Sequence, residues 1–184
     1  MKTKILKLSA VAGIFLVSGC VSTTLSKPNG LGAVAIPVSI DMGELKKNYA
    51  CRSLELDIKK TYRSGSEFDT VISREIYVSG STTHAIMKDI EPGDYSVSSY
   101  RCYANHGWSF GGRNYLNKRA SIRFEVLPNK ITVAEYVFVG SETLKPSGST
   151  TFSARFYRAD EDDIKKTVEA ITAEGIPAGW TFAE

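Results

Sequence analysis

Leu54-Glu55-Leu56-Asp57-Ile58-Lys59 sets an apolar side chain beside a charged one in strict alternation. That period of two is the mark of a strand with one face on a core and the other in water, since successive side chains leave a strand on opposite sides. The same pattern recurs along much of the chain. Val34, Ile36, Val38 and Ile40 alternate with Ala35, Pro37 and Ser39, and Pro37, lacking an N–H donor, predicts an edge strand. Ala120, Ile122, Phe124 and Val126 alternate with Ser121, Arg123 and Glu125, and Phe152, Ala154 and Phe156 with Ser153, Arg155 and Tyr157. Further strands are expected near Val71 to Val78 and Thr83 to Met87. Ile131 to Val139, apolar on both faces apart from Thr132 and Glu135, reads as one central strand.

Turn chemistry separates these runs. Glu91-Pro92-Gly93-Asp94 carries proline and glycine where a type II turn wants them, so a strand should begin at Tyr95. Between Tyr95 and Tyr103 the alternation slips: Tyr95 and Val97 share one face, Tyr100 and Cys102 the other. A bulge at Ser98-Ser99 would bring all four to one side. Leu127-Pro128-Asn129-Lys130 is a second turn. One helix is expected, from Glu161 to Glu174, with Asp160 as its cap, acidic residues in its first turn and Gly175 and Pro177 after its end. Ile164, Val168 and Ile171 form its apolar stripe, which should lie on the sheet.

These elements predict a mainly β fold, an antiparallel β-sandwich of about seven to eight strands with one C-terminal helix at about 161–174. The segment from Ser53 to Val139, with Asp89-Ile90-Glu91-Pro92-Gly93-Asp94-Tyr95 at its middle and Phe124 to Val139 at its end, resembles the small prealbumin-like (transthyretin-like) sandwich found in many bacterial lipoproteins. The resemblance covers about half the chain, rests on turn chemistry, and transfers no catalytic residue. It leaves the helical tail outside.

The chain opens with Lys2, Lys4 and Lys7, an apolar run from Leu8 to Val17, and Ser18-Gly19-Cys20. This resembles a lipoprotein signal peptide with the lipobox Leu16-Val17-Ser18-Gly19-Cys20, so 1–19 is expected to be removed and Cys20 acylated. From Leu8 to Gly19 there are 12 residues, whereas a membrane-spanning helix needs about 20. With Val21 rather than aspartate after the cysteine, the resemblance implies the outer membrane, most simply its periplasmic face. Residues 20–32, rich in small and polar side chains with Pro28, Gly30 and Gly32, read as a flexible tether with a mean reach of about 20 Å. Residues 33–184 read as a single domain.

Removing the signal changes the charge. The whole chain has 23 basic and 20 acidic residues, and three of the lysines lie in the signal. A formally neutral remainder offers no basic face for nucleic acid. With Cys20 assigned to lipid, Cys51 and Cys102 are most simply a disulfide in an oxidising envelope.

Catalytic signatures are missing: no Gly-x-Ser-x-Gly, phosphate-cradling loop or His-Glu-x-x-His occurs. His84 and His106 match no compact zinc pattern, and Asp160 to Asp163 is accounted for by a helix start rather than by calcium. Neither a cofactor nor a metal is therefore expected. The segment Tyr103 to Asn117 sets Tyr103, His106, Trp108, Phe110 and Tyr115, with Arg113, among glycines and asparagines between two strands. Aromatic and arginine anchors of this kind concentrate at interaction hot spots; alternatively Trp108 and Phe110 fold back to cap the open end of the sandwich. The sequence thus points to a non-enzymatic envelope lipoprotein that is a binding or structural module, held to the membrane by its lipid and meeting an envelope protein or glycan. An envelope hydrolase with an unrecognised site is the alternative.

Overall fold

The computed structural model describes residues 25–41, 50–61, 71–77 as main chain, 83–105, 108–148 and 150–184. In chain order these form β1 (Gly32–Asp41), β2 (Ser53–Thr61), β3 (Val71–Tyr77), β4 (His84–Ile90), β5 (Gly93–Tyr103), β6 (Tyr115–Val126), β7 (Lys130–Val133), β8 (Tyr136–Leu144), β9 (Thr150–Arg158), α1 (Glu161–Glu174) and β10 (Thr181–Phe182). The protein is mainly β with one helix. Residues 1–19, expected to be a signal peptide, and Cys20 lie outside the described residues.

Four strands make one sheet, in the order β3-β2-β5-β6, with every pairing antiparallel. Leu54, Leu56 and Ile58 are fully buried from β2, as the alternation requires, while Glu55 and Asp57 stand on the opposite face. The slip in β5 is a bulge. Asp57 pairs with Ser99 and Ile58 with Val97, so Ser98 is the extra residue, and Tyr95, Val97, Tyr100 and Cys102 all reach the core. Gly93 carries the positive φ expected of its place, 146°, more open than the type II value of about 80°. A Cβ there would sit 2.8 Å from Lys60 Cε. The Tyr95 hydroxyl donates to the Glu91 carbonyl at 2.8 Å and ties the strand back to the turn that starts it.

The other sheet runs β10-β7-β1-β8-β9, with β4 also on β1. Three expectations change here. Pro37 does not mark an edge, because β1 pairs with β4, β7 and β8. The Val38 N–H donates to Thr83 O on the β4 side, so by alternation the Pro37 nitrogen faces the other side. There it falls in the gap between the β7 pairing, which ends at Ala35, and the β8 pairing, which starts at Val38; the missing donor costs no ladder bond. The run Ile131 to Val139 is not one strand. It breaks at Ala134 and Glu135 into β7 and β8, which follow β1 in succession. Both pair with β1 in parallel, and β10 pairs with β7 in parallel, so the sheets are partly mixed rather than purely antiparallel, with ten strands among the described residues. The parallel sense follows from the turn after β6: the Asn129 N–H donates to Leu31 O, which returns the chain to the end where β1 begins.

The main core lies between the sheets. Val34, Ile36, Val38 and Ile40 of β1 meet Leu54, Leu56 and Ile58 of β2 and Tyr95, Val97 and Tyr100 of β5. Tyr100 joins both layers. Its ring makes edge contacts with Phe138 and Phe156, and its hydroxyl donates to Ala154 O at 2.8 Å. A second core lies on the far face of the β1 sheet, where Ala33, Ala35 and Ile131 meet Leu25, Ile171 and Trp180. The small side chains at 33 and 35 let the helix and tail come close.

The helix has the predicted bounds and a complete capping box: Asp160 accepts from the Asp163 N–H at 2.8 Å and Asp163 from the Asp160 N–H at 3.3 Å. Ile171 is buried, whereas Ile164 and Val168 are only half-buried. The segment 25–32, expected as part of a free tether, lies on the domain. Leu25 is buried in the second core, Trp180 Nε1 donates to Ser26 O at 2.7 Å, and Asn129 Oδ1 accepts from the Gly30 N–H at 2.8 Å. An apolar side chain at 25 and an indole to receive it outweigh the local preference for disorder.

Candidate functional site: the aromatic end

Cys51 and Cys102 are bonded, with Cα atoms 5.1 Å apart. Cys102 belongs to β5 and Cys51 leads into β2, so the bond closes the end of the sheet from which the aromatic segment emerges. Beside it, Glu142 of β8 is buried and its Oε1 accepts from the Ala50 N–H at 3.0 Å. A carboxylate in that place had no signal in the sequence, where Glu142 lies beyond the strand expected from Ile131 to Val139.

The segment between β5 and β6 is a narrow extension. Ala104 N–H donates to Asn114 O at 2.8 Å, closing its base. At its tip, Phe110 and Arg113 exchange both main-chain hydrogen bonds, at 2.7 and 3.2 Å, around Gly111 and Gly112, whose φ values are 57° and 87°. Two consecutive positive φ angles are the requirement of a type I′ hairpin turn, which glycine meets without strain. The sequence signal for this second hairpin is the Gly-Gly pair.

Six aromatic and arginine positions were predicted to gather here. Tyr103 and Tyr115 face each other across the base, ring centroids 5.8 Å apart. Trp108 and Phe110 meet edge to face at 6.5 Å, and Phe110 continues to Phe152 of β9 at 6.2 Å. The chain of rings therefore runs from the extension onto the other sheet, which is the capping arrangement. Trp108 Nε1 is buried with no acceptor among the described residues. Arg113 is exposed at the tip. His106 lies outside the described residues, so its pairing with His84 as a metal site does too.

An ion cluster beneath the extension fixes its base. Arg101 Nη2 lies 2.8 Å from Asp57 Oδ1 and 3.1 Å from Glu55 Oε1, while the Tyr103 hydroxyl donates to Glu55 and that of Ser99 to Asp57. The hydrogen bond that Arg101 donates to Asp57, helped by the charge of both carboxylates, raises the Arg101 pKa. Period two puts Glu55, Asp57 and Arg101 on outward faces, but only the register across β2 and β5 brings them together.

His84 sits elsewhere, buried under the end of α1. Its Nε2 is 3.6 Å from Glu174 Oε1, too long for a good hydrogen bond. Burial lowers its pKa and Glu174 pulls it back up. Asp160 and Asp163 spend their carboxylates on the helix start. Among the described residues, no three His, Cys, Asp or Glu side chains gather as a metal would require, and no helix is long and apolar enough to cross a membrane.

No family model matches the chain, and no curated protein does. A solved structure that does match is a leucine-rich repeat protein from Bacteroides thetaiotaomicron, at 18% identity and a TM-score of 0.34 over 58% of this chain. The match spans 13% of that protein's length.

Proposed function

We propose that the chain is an outer-membrane lipoprotein, acylated at Cys20 and facing the periplasm, whose two sheets form a single prealbumin-like β-sandwich domain acting as a non-enzymatic binding module. The observation that carries this reading is the opposition of two ends. Leu25, where the described chain begins, is fixed beside Trp180 and the 127–130 turn, where β5 starts; the aromatic extension leaves from where β5 finishes. The 11 residues of β5 set them apart by about 35 Å, at about 3.3 Å each.

Cys20 to Leu25 is five steps, at most about 17 Å of extended chain. A lipid on Cys20 would hold the Trp180 end close to the bilayer and present the Arg113 tip away from it, to an envelope protein or glycan. The Tyr95 hydroxyl, bonded to main chain four residues upstream, supports the sandwich reading, since a tyrosine of that kind braces the corners of such folds. An exposed Arg113 on a stiff two-glycine hairpin backed by a row of rings is suited to contact rather than to turnover, because the rings and the ion cluster leave little to reorganise.

Photo-crosslinking in intact cells from a reactive amino acid at Arg113 tests this. The expected result is a defined envelope adduct that is lost when Cys20→Ala prevents anchoring. A tip that yields no adduct while the folded protein accumulates normally in the envelope would refute binding through this end.

A further inference from the structure

The helix α1 carries a longer apolar stripe than its sheet covers. Its C-terminal end is seated, with Ile171 buried against β1 and β7, but Val168 and Ile164, one and two turns nearer the start, line an open groove of about 390 Å³. That is within the range of about 300–1,000 Å³ typical of ligand sites. Val133, Leu127 and Phe182 complete the apolar floor. The rim bears Glu125, Glu135 and Glu184 against Arg123, and Glu135 is 3.6 Å from the exposed Arg158.

One wall of the groove is a strand edge. Among the described residues, β6 ends the four-stranded sheet and pairs with β5 alone. The Thr132 hydroxyl donates to the Glu125 carbonyl at 2.7 Å, so that carbonyl points away from β5 and toward the groove. In an antiparallel pair the N–H and C=O of one residue point the same way and repeat every second residue. Arg123 therefore offers its main-chain donor and acceptor to the same side.

From this combination we infer that the groove between α1 and the edge of β6 binds an extended peptide segment in which apolar residues alternate with basic ones. The peptide main chain pairs with β6 at Arg123, as in strand addition to an open edge. An apolar side chain enters between Ile164, Val168 and Phe182. The alternate, basic side chain stays at the rim beside Glu125 and Glu184, which have opposite charge. The site is separate from the aromatic tip, and it does not depend on lipidation or on the function proposed for that tip.

The test uses the full chain in phosphatidylcholine nanodiscs and fluorescein-labelled hexapeptides of alternating Leu-Lys, Leu-Glu and Ser-Lys, read by anisotropy against empty nanodiscs. Saturable binding of the Leu-Lys peptide is expected, with the other two at least tenfold weaker. Glu125→Lys, an exposed change, should weaken it tenfold or more, as should Val168→Arg, which fills the groove. N-methylation of alternate amides in the Leu-Lys peptide should cause a similar loss. The inference is overturned by no saturable Leu-Lys binding, by equal binding of all three peptides, or by binding that Glu125→Lys leaves unchanged in a protein that melts as the parent does.

Discussion

Tyr100 does more for the fold than its place in a polar-looking stretch of β5 suggests. It is buried, its ring touches Phe138 and Phe156, and its hydroxyl crosses from one sheet to the other to reach Ala154 O. Burial pushes its pKa up to about 12, against a smaller opposing pull from Arg155. A phenol with a raised pKa stabilises the folded state fully below the unfolded value of about 10. That stability is then lost as pH rises from about 10 through about 12. Denaturant melts from pH 8 to pH 12 should therefore show a steep alkaline loss in the parent and a shallower one in Tyr100→Phe. At pH 8 the same substitution should cost about 1 kcal/mol, the net worth of one hydrogen bond. Equal alkaline slopes would show that other groups control the loss. The bulge that puts Tyr100 inward was legible in the sequence, because a uniform strand would split four core-sized side chains, two to each face. The carbonyl it meets was not, since β9 lies 54 positions away and in another sheet.

Elements were legible where local chemistry decides them and illegible where neighbours do. The helix kept its predicted bounds because its capping box and Gly175 are local signals. Pro37 misled because an edge was inferred from one missing donor, whereas a central strand tolerates it at the point where one neighbour gives way to the next. Ile131 to Val139 read as one strand because its hydrophobicity does not register the break at Ala134. The aromatic extension lies between these cases: its position between strands follows from composition, but the sequence left exposed and inward-folded rings as alternatives, and Phe152 and the ion cluster under Tyr103 require the register. Within the extension, Gly112 has a φ of 87° and an ideal Cβ would meet nothing, so the cost of substitution is conformational alone. Gly112→Val should therefore loosen the Phe110–Arg113 pair by at least about 1 kcal/mol without disturbing the core. Amide exchange checks this: faster exchange at Phe110 and Arg113, with β2 and β5 protected as before, is the expected outcome, and unchanged exchange at the tip would show that the rings alone fix the hairpin.

At the scale of the molecule, two sheets share one core, the helix and tail cover the outer face of the larger sheet, and the ends are chemically different. One end holds Leu25, Trp180 and the 127–130 turn; the other holds the disulfide, buried Glu142 and the aromatic extension. In the sequence, the expected signal peptide, the expected tether and the aromatic cluster are separate features. Their arrangement at opposite ends depends on the burial of Leu25, which removes most of the slack that a free segment of 20–32 would have had. Quenching by spin-labelled headgroup lipids, in vesicles carrying the acylated protein, tests that polarity directly. A fluorescent amino acid at exposed Lys27 should be strongly quenched, and the same probe at exposed Arg113 should be unaffected. Quenching at Arg113 equal to or greater than that at Lys27 would contradict the account, because the aromatic end would then lie on the membrane rather than away from it.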